Sequence, residues 1–255
     1  MKMPYAKNGD INIYYEVEGE GPSLVLLHGG SGESSIWRDY GYVEPLKNDC
    51  TLVLIDARGH GNSDKPHEVT AYNMNQRVTD VIAVLDEVGV KTASFYGYSY
   101  GGRIALELAK FVPEKVSSAI ISGMGPWGKS KDGSNPVLTL LEAGPDATLS
   151  ALERSGPLSE KMKARVLATD FDAVIAVLKS DWPDLSEYLP NMFMPFLIIN
   201  GEADQVWSYL EVKEGYSVLP DMKFISLPDL DHSQCWQRSD IVVPHIKEFL
   251  ARVNK

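Results

Sequence analysis

The chain has 255 residues, two cysteines and no long apolar segment. Two cysteines are too few for a disulfide framework, so Cys50 and Cys235 are expected to be small buried side chains in a reducing compartment. The longest apolar run is six residues, at positions 173–178, whereas a membrane-spanning helix needs about 20. The first residues also lack the apolar stretch of a secretion signal. We therefore expect a cytoplasmic protein that does not enter a membrane.

Basic residues are scarce as well. The chain has 24 lysines and arginines and 35 aspartates and glutamates, for a formal net charge of −11. Because phosphate binding needs clustered positive charge, this balance argues against nucleic acids and anionic membranes as partners. A small-molecule partner is the expectation, and the oligomeric state stays open between monomer and homodimer.

Short apolar runs recur along the chain without alternating polar positions, at residues 24–27, 52–55, 93–96, 119–121 and 196–199. Such runs are typical of strands that are covered on both faces, as in a parallel sheet. Helical patterns lie between them, for example over residues 78–85. This alternation predicts an α/β fold, a mostly parallel central sheet with helices on both faces. Residues 11–17 mix apolar and polar positions and predict an antiparallel edge strand.

Residues 124–191, here called the cap segment, interrupt the alternation. The segment has no strand-like run and holds six of the 15 prolines, which cut helices into short pieces. Residues 158–169 and 171–180 are predicted helices, the second with Asp170 as its N-cap. We predict a core domain formed by residues 1–123 and 192–255, with the cap segment as a small helical cap over the sheet.

The clearest chemical motif is GYSYG at residues 97–101, which fits the form G-x-S-x-G. An apolar strand precedes it and an amphipathic helix follows, which is the setting of a nucleophile elbow. The glycines permit a tight turn that lifts the Ser99 hydroxyl out of the sheet to a helix N-terminus. A glycine-rich turn that merely joins strand and helix is the alternative for the motif taken alone. Ser99 is the predicted nucleophile.

A serine nucleophile needs a general base. Among five histidines, His232 is the best candidate because it follows the strand-like run at residues 224–227, at the sheet edge that carries Ser99. His245 falls within a predicted helix, and His67 falls in a proline-containing loop. A reactive thiol is the alternative interpretation of Cys235, but no activating pattern surrounds this residue.

The base in turn needs a carboxylate. Asp204 follows the predicted strand at residues 196–199 and is the expected partner of His232, with Glu202 as the alternative. Asp229 and Asp231 flank the histidine and are too close in sequence for a firm assignment. The resulting order of serine, aspartate and histidine is that of hydrolase sheets.

A glycine-rich loop, HGGSG at residues 28–32, follows the first predicted parallel strand. Its backbone N–H groups, together with that of Tyr100, are expected to form an oxyanion hole. The competing interpretation is a phosphate-binding loop, but these residues do not continue into G-x-G-x-x-G or G-K-[ST]. No cofactor and no metal site are expected.

These motifs together resemble those of the α/β-hydrolase fold family, and the resemblance covers nearly the whole chain. It rests on residues 28–30, on DARGHGNS at residues 56–63, on the elbow, on residues 201–204 and on residues 231–232. The resemblance implies that Gly30 donates one oxyanion N–H and that Arg58 and His60 are structural. It also implies that the cap segment lines the substrate pocket.

A serine at the nucleophile position differs from the aspartate of dehalogenases and epoxide hydrolases of this fold. The resemblance then implies a serine hydrolase, a carboxylesterase or lactonase, that cleaves a small and mainly apolar acyl substrate. The alternatives are a thioesterase, a cofactor-free haloperoxidase-like enzyme, a C–C bond hydrolase, an acyltransferase and a slow-turnover ligand receptor on the same fold.

The substrate contacts are the least constrained part of this interpretation. Ser31, Trp127 and Trp207 are the candidate substrate-binding residues. Trp37 and Trp182 are further aromatic candidates for an apolar pocket. Burial in the core is the alternative for each tryptophan.

Overall fold

The computed structural model describes residues 4–128, 136–154 and 158–254. These residues form one eight-stranded sheet with the order β1-β2-β4-β3-β5-β6-β7-β8. The strands are β1 (Tyr5–Asn8), β2 (Ile11–Glu18), β3 (Ser23–Leu27), β4 (Thr51–Ile55), β5 (Ala93–Tyr98), β6 (Val116–Ser122), β7 (Phe196–Gly201) and β8 (Met222–Leu227). All neighbours from β4 to β8 are parallel, which confirms the predicted mostly parallel sheet.

The predicted edge strand is antiparallel but does not lie at the edge. β2 pairs with β4 on one side and with β1 on the other, so the four-residue β1 is the outer strand. The sequence of β1 has no apolar run that would reveal a strand. It forms because its backbone pairs with β2 and the Tyr5 ring packs edge-on to Tyr14 at 5.4 Å.

The same described residues form eleven α-helices. They are α1 (Ile36–Asp39), α2 (Val43–Leu46), α3 (Met74–Val88), α4 (Tyr100–Phe111), α5 (Pro136–Glu142), α6 (Pro145–Arg154), α7 (Glu160–Ala168), α8 (Phe171–Lys179), α9 (Tyr209–Tyr216), α10 (Gln234–Gln237) and α11 (Ser239–Val253). The predicted N-cap is confirmed, because the Asp170 carboxylate accepts from the N–H of Ala173 at 3.1 Å. Gly89 is the C-cap that follows the last residue of α3, and its φ of 75° suits glycine.

Two apolar cores cover the two faces of the sheet, as successive side chains of each strand point in opposite directions. Val25 and Leu27 of β3 pack in one core, whereas Leu24 and Leu26 pack in the other. The first core contains the buried faces of α3 and α4, and the second contains that of α11. Sheet and helices therefore form three layers, with the site at the carboxyl ends of the parallel strands.

The described part of the cap segment contains α5 to α8 and a 3-10 turn at Ser186–Asn191, and no strand. β6 and β7 are neighbours in the sheet, so this segment leaves and re-enters the core between adjacent strands. Among the residues that the structure describes, no helix is both long and apolar enough to cross a bilayer.

A buried charged cluster, formed by Arg77, Arg103 and Glu107, joins the cap segment to α3 and α4. The Glu107 carboxylate accepts from Arg77 Nη2 at 2.5 Å and from Arg103 Nε at 2.8 Å, and all three side chains are at most 1% exposed. Both guanidinium groups also reach carbonyls near the C-terminal end of the cap segment. Arg77 donates to Asp181 O at 2.9 Å, and Arg103 donates to Pro183 O at 2.5 Å.

Candidate active site

The elbow between β5 and α4 holds Ser99 in a strained conformation. Its φ is 49° and its ψ is −113°, a region that non-glycine residues rarely adopt. A Cβ on Gly97 would overlap the carbonyl oxygen of Gly101, and a Cβ on Gly101 would overlap that of Leu27. Only glycine fits at both positions, which accounts for the G-x-S-x-G pattern.

Three of the predicted site residues are joined by hydrogen bonds. His232 Nε2 lies 3.1 Å from Ser99 Oγ, and His232 Nδ1 lies 2.8 Å from Asp204 Oδ2. Because a carboxylate only accepts, Nδ1 carries the proton and Nε2 is free to accept from the serine hydroxyl. The Ser99 side chain is half-buried, so the hydroxyl remains open to a substrate.

The carboxylate of this chain is itself fixed. Asp204 Oδ1 accepts from the N–H groups of Val206 at 2.8 Å and Trp207 at 2.9 Å, which leaves Oδ2 for His232. The alternative, Glu202, is exposed. Asp231 binds the N–H of Gln234 at 2.8 Å instead of the imidazole. Asp204 is thus the carboxylate that the structure places against the histidine.

The loop that carries His232 is held by residues that the sequence patterns did not single out. The Tyr98 hydroxyl donates to the carbonyl oxygen of His232 at 2.7 Å. The Tyr98 ring stacks on Trp236 with centroids 4.5 Å apart and lies 5.2 Å from the imidazole. A Cβ on Gly123 would lie 3.1 Å from the imidazole Cε1. The elbow strand therefore supports the histidine as well as the serine.

The predicted oxyanion donors are neighbours. A Cβ on Gly30 would lie 4.0 Å from the Tyr100 Cβ, and the Gly30 backbone is exposed. Tyr100 is the first residue of α4, so its N–H has no partner within the helix and lies at the positive end of the helix dipole. The two predicted donor residues thus lie next to each other, and Tyr100 directly follows Ser99 in the chain.

His28 shapes this loop without reaching the reacting atoms. Its Nδ1 donates to Gly29 O at 2.8 Å, and its Nε2 accepts from the N–H of Ala57 at 3.0 Å. This pair of bonds requires the neutral imidazole, and burial lowers the pKa of His28 to about 4. His28 thereby ties the loop after β3 to the loop after β4.

Arg58 and His60 also have packing and bonding partners. Arg58 forms a bidentate ion pair with Asp80, with distances of 2.9 and 2.6 Å, and both side chains are buried. His60 Nδ1 donates to Arg58 O at 3.0 Å, and the His60 ring stacks on that of Tyr100 at 5.5 Å. Burial and the neighbouring His28 lower the pKa of His60 to about 3.

The candidate substrate-binding residues are placed differently from one another. Ser31, whose φ is 60°, lines a cavity of about 410 Å³ beneath the cap segment. Trp127 and Trp207 are not part of its lining and stack on each other at 6.5 Å, packed against the first core. Trp182 lies 5.7 Å from the Tyr100 ring.

Trp37 lies in the core, which is the more common place for a tryptophan, and does not line a pocket. Its side chain is fully buried in the second core, where its ring packs against Tyr42, Tyr96 and Trp236. These three ring contacts make Trp37 part of the apolar core.

A further sequence pattern lies around the start of the cap segment. Residues 123–130 read GMGPWGKS, the form G-x-x-x-x-G-K-S of phosphate-binding loops. Its Lys129 and Ser130 lie outside the described residues. The three glycines pack on protein groups: Gly123 on His232, Gly125 on Trp127, and Gly128 on the backbone of Trp182. Their small size is therefore explained by side-chain and backbone packing.

Comparison with known proteins identifies the family. The model of the alpha/beta hydrolase family matches residues 24–243. The chain is an α/β-hydrolase. The match begins at β3 and extends into α11, so it includes every strand of the parallel part of the sheet. Within the described residues, the hydrolase has no cluster of three or more histidine, cysteine or carboxylate side chains arranged to hold a metal ion.

Related hydrolases match over nearly the full length. A pimeloyl-acyl-carrier-protein methyl ester esterase of Nitrosospira multiformis is 27% identical over 94% of this chain and 99% of its own. The crystal structure of the esterase RhEst1 from Rhodococcus sp. ECU1013 has a TM-score of 0.86 and 25% identity, covering 99% of this chain and 100% of that chain. The enol-lactonase from Burkholderia xenovorans LB400 has a TM-score of 0.85 at 23% identity over 97% and 100% of the two chains, which shows the fold.

Proposed function

We propose that this hydrolase is a carboxylic ester hydrolase that works through Ser99, His232 and Asp204. The observation that carries the proposal is the unbroken hydrogen-bonded chain from the strained serine through the imidazole to a buried carboxylate. Such a chain raises the nucleophilicity of a hydroxyl that is otherwise a weak nucleophile.

In the first half-reaction, His232 Nε2 takes the Ser99 proton as Oγ attacks the acyl carbonyl. The developing oxyanion accepts hydrogen bonds from the N–H groups of Gly30 and Tyr100, and Asp204 stabilises the imidazolium. The tetrahedral intermediate then expels the alcohol, which His232 protonates.

In the second half-reaction, His232 removes a proton from water, which attacks the acyl-enzyme. Collapse of the second tetrahedral intermediate releases the carboxylic acid and returns the proton to Ser99. The chemistry uses no group beyond the chain and water. A lactone differs from an open ester only in that its alcohol stays attached to the acyl group, so the same steps would open it.

The relatives support the choice of ester bonds, since the names of the Nitrosospira and Rhodococcus proteins describe them as esterases. The cap segment is proposed as a helical cap on the core formed by residues 1–123 and 192–255. A small acyl compound as partner and a cytoplasmic location complete the proposal.

Replacement of Ser99 by alanine tests the assignment. With p-nitrophenyl butyrate as substrate, kcat should fall by about 10⁴-fold or more, because the nucleophile is lost while the fold is kept. Ser94→Ala is the matched control, because Ser94 is a buried serine of β5, the strand that leads to Ser99. A fluorophosphonate should label Ser99 alone, as read by peptide mass. Near-full turnover by the Ser99→Ala protein would overturn the proposal.

Turnover number separates an enzyme from a slow ligand receptor. Many cycles per site with a short-chain ester are expected. A single stoichiometric release of alcohol with a stable acyl-enzyme would favour the receptor instead. Added methanol would reveal acyl transfer through a methyl ester product.

A further inference from the structure

The cavity of about 410 Å³ lies between the oxyanion loop, the loop after β4 and the cap helices α7 and α8. Its volume falls within the range of small-molecule sites. The charged side chains of its lining are Glu33, Lys65, Lys161, Arg165 and Asp170. The cavity meets the proposed site at Ser31, one residue after Gly30.

This lining mixes polar and apolar surface, although most of its side chains are polar or charged. Its only apolar side chains are the small ones of Ala164, Ala168 and Val174, and no aromatic side chain other than the imidazole of His60 contributes. Pockets for apolar ligands are lined mainly by hydrophobic and aromatic groups. The lining thus does not match the mainly apolar acyl substrate expected from the sequence.

The two carboxylates of the lining are already engaged with protein donors. Glu33 Oε1 accepts from Ser35 Oγ at 2.6 Å and from Arg165 Nε at 3.1 Å. Asp170 accepts from the N–H of Ala173 at 3.1 Å and bonds to the His67 ring at 3.0 Å. Both carboxylates thus already have donors within the protein, and Asp170 is also near enough to Lys65 for the two charges to attract each other.

Lys65 differs from the other two cations of the lining. Arg165 and Lys161 both bond to Asp39, at 2.7 and 2.6 Å. The Lys65 ammonium donates to two backbone carbonyls, Gly61 O at 2.5 Å and Ser63 O at 3.1 Å. Within the described ranges, no carboxylate lies within ion-pair distance of Lys65 Nζ.

The two carbonyl bonds hold the ammonium group in place without neutralising its charge. An ammonium group has three hydrogens, so one remains for a ligand. A half-buried cation that borders a cavity and lacks a carboxylate partner is matched by an anionic ligand group, and a carboxylate bonded to an ammonium is stronger than a neutral hydrogen bond.

We propose that this cavity binds a carboxylate group of the substrate, with Lys65 as its principal partner and Lys161 and Arg165 beside it. The inference rests on the proposed ester hydrolysis and specifies its substrate class, monoesters of dicarboxylic acids. Their scissile carbonyl lies at Gly30 and Tyr100, and their free carboxylate extends past Ser31 into the cavity.

The contacts around Tyr100 support this path. His60 lines the cavity and stacks on the Tyr100 ring, so the cavity adjoins both proposed oxyanion residues.

The test compares two methyl esters of equal carbon chain, monomethyl adipate and methyl hexanoate, by acid release in a pH-stat. The measured quantity is the ratio of their kcat/KM values, adipate over hexanoate. Lys65→Met keeps the aliphatic stem and removes the charge. It should lower this ratio by about tenfold, as for loss of one charge-assisted hydrogen bond. Lys47→Met, at a partly exposed lysine that pairs with Glu44 and does not line the cavity, should keep the wild-type ratio.

A ratio that is equal in wild type and Lys65→Met would overturn the inference. A second measurement uses neither the Lys65→Met protein nor catalysis. The Ser99→Ala protein should bind adipate in calorimetry and should not bind 1,6-hexanediol. Equal binding of both, or of neither, would also overturn it.

These outcomes are distinct from failure of the proposed function. If Ser99→Ala still hydrolyses both esters, the catalytic assignment fails whatever the ratio is. If Ser99→Ala is inactive and the ratio does not respond to Lys65, only the carboxylate site fails.

Discussion

The hydroxyl of Tyr98 donates a hydrogen bond to the backbone carbonyl of His232 at 2.7 Å, so the residue before the proposed nucleophile holds the loop of the proposed base. This bond joins the end of β5 to a loop 134 positions later in the chain. It helps to hold the His232 imidazole beside Ser99, so the proximity of the two proposed catalytic groups depends on a third side chain.

Removal of this hydroxyl should lower the rate without weakening substrate binding. Tyr98→Phe is expected to reduce kcat about fivefold and to leave KM near its original value, since about 1 kcal/mol of positioning is lost. Steady-state kinetics with p-nitrophenyl butyrate measures this.

The control for this variant is Tyr72→Phe. Tyr72 is also buried and also donates to a backbone carbonyl, Pro66 O at 2.5 Å, which lies outside the His232 loop. It should lose similar stability in urea unfolding but keep its kcat. Equal losses of kcat in both variants would show that Tyr98 acts only through the fold.

Asp204→Asn should reduce kcat by about 10³ to 10⁴-fold, because an amide does not hold His232 in the tautomer that accepts the serine proton. Asp231→Asn is the matched change at a neighbouring loop aspartate that binds Gln234 instead of the imidazole. It should keep most of the activity. A severe loss in Asp231→Asn together with a mild one in Asp204→Asn would reverse the assignment.

Stability should fall in mild acid because two imidazoles are buried in neutral form. The pKa is lowered by burial to about 4 for His28, and by burial and the nearby His28 to about 3 for His60, from an ordinary value of 6.5. Below pH 6.5 the unfolded chain binds these protons and the folded chain does not. The stabilisation is complete above that pH and is lost as the pH decreases towards the folded-state values.

Each imidazole should contribute a loss of about 2 kcal/mol between about pH 7.5 and about pH 5. Urea unfolding of wild type and His60→Gln at these two values measures the effect. The variant should lose about 2 kcal/mol less than wild type over this interval. Parallel pH profiles for the two proteins would contradict the neutral buried state of His60.

Glu107→Gln should be strongly destabilising, by about 3 to 5 kcal/mol in urea unfolding, because it leaves two buried guanidinium groups without their shared counter-charge. Glu248→Gln is the contrasting change. Glu248 is 67% exposed and pairs with Lys223, so its loss should leave the free energy of unfolding close to that of wild type. Similar costs at the two sites would mean that the buried cluster contributes no more than a surface pair.

The predicted triad depended on local signals that the fold preserves. Apolar runs placed Ser99, Asp204 and His232 after strands, and parallel strands bring such positions to one edge. The elbow glycines were readable because overlap with the backbone excludes every other residue at positions 97 and 101. The choice of Asp204 over Glu202 needed the structure, because only the loop after β7 decides which carboxylate faces the imidazole.

Contacts between distant segments were not readable from the sequence. Arg103 and Glu107 sit one turn apart on α4, a spacing that is also typical of exposed ion pairs, yet both are fully buried. They are buried because Pro183, 80 positions later, lies over them. The cavity could not be predicted for the same reason. Lys65 and Lys161 line it together only because the cap segment folds back over the core.

The adjacency of β6 and β7 has a consequence for how the chain tolerates change. The intervening residues act as one long loop between strands that are already neighbours. The entropic cost of closing such a loop rises only slowly with its length. Doubling its length costs about 0.6 kcal/mol. The sheet that holds the serine, aspartate and histidine can therefore accept a cap segment of quite different size. Arg77 and Arg103 would then be available to donate hydrogen bonds to the backbone of the new segment.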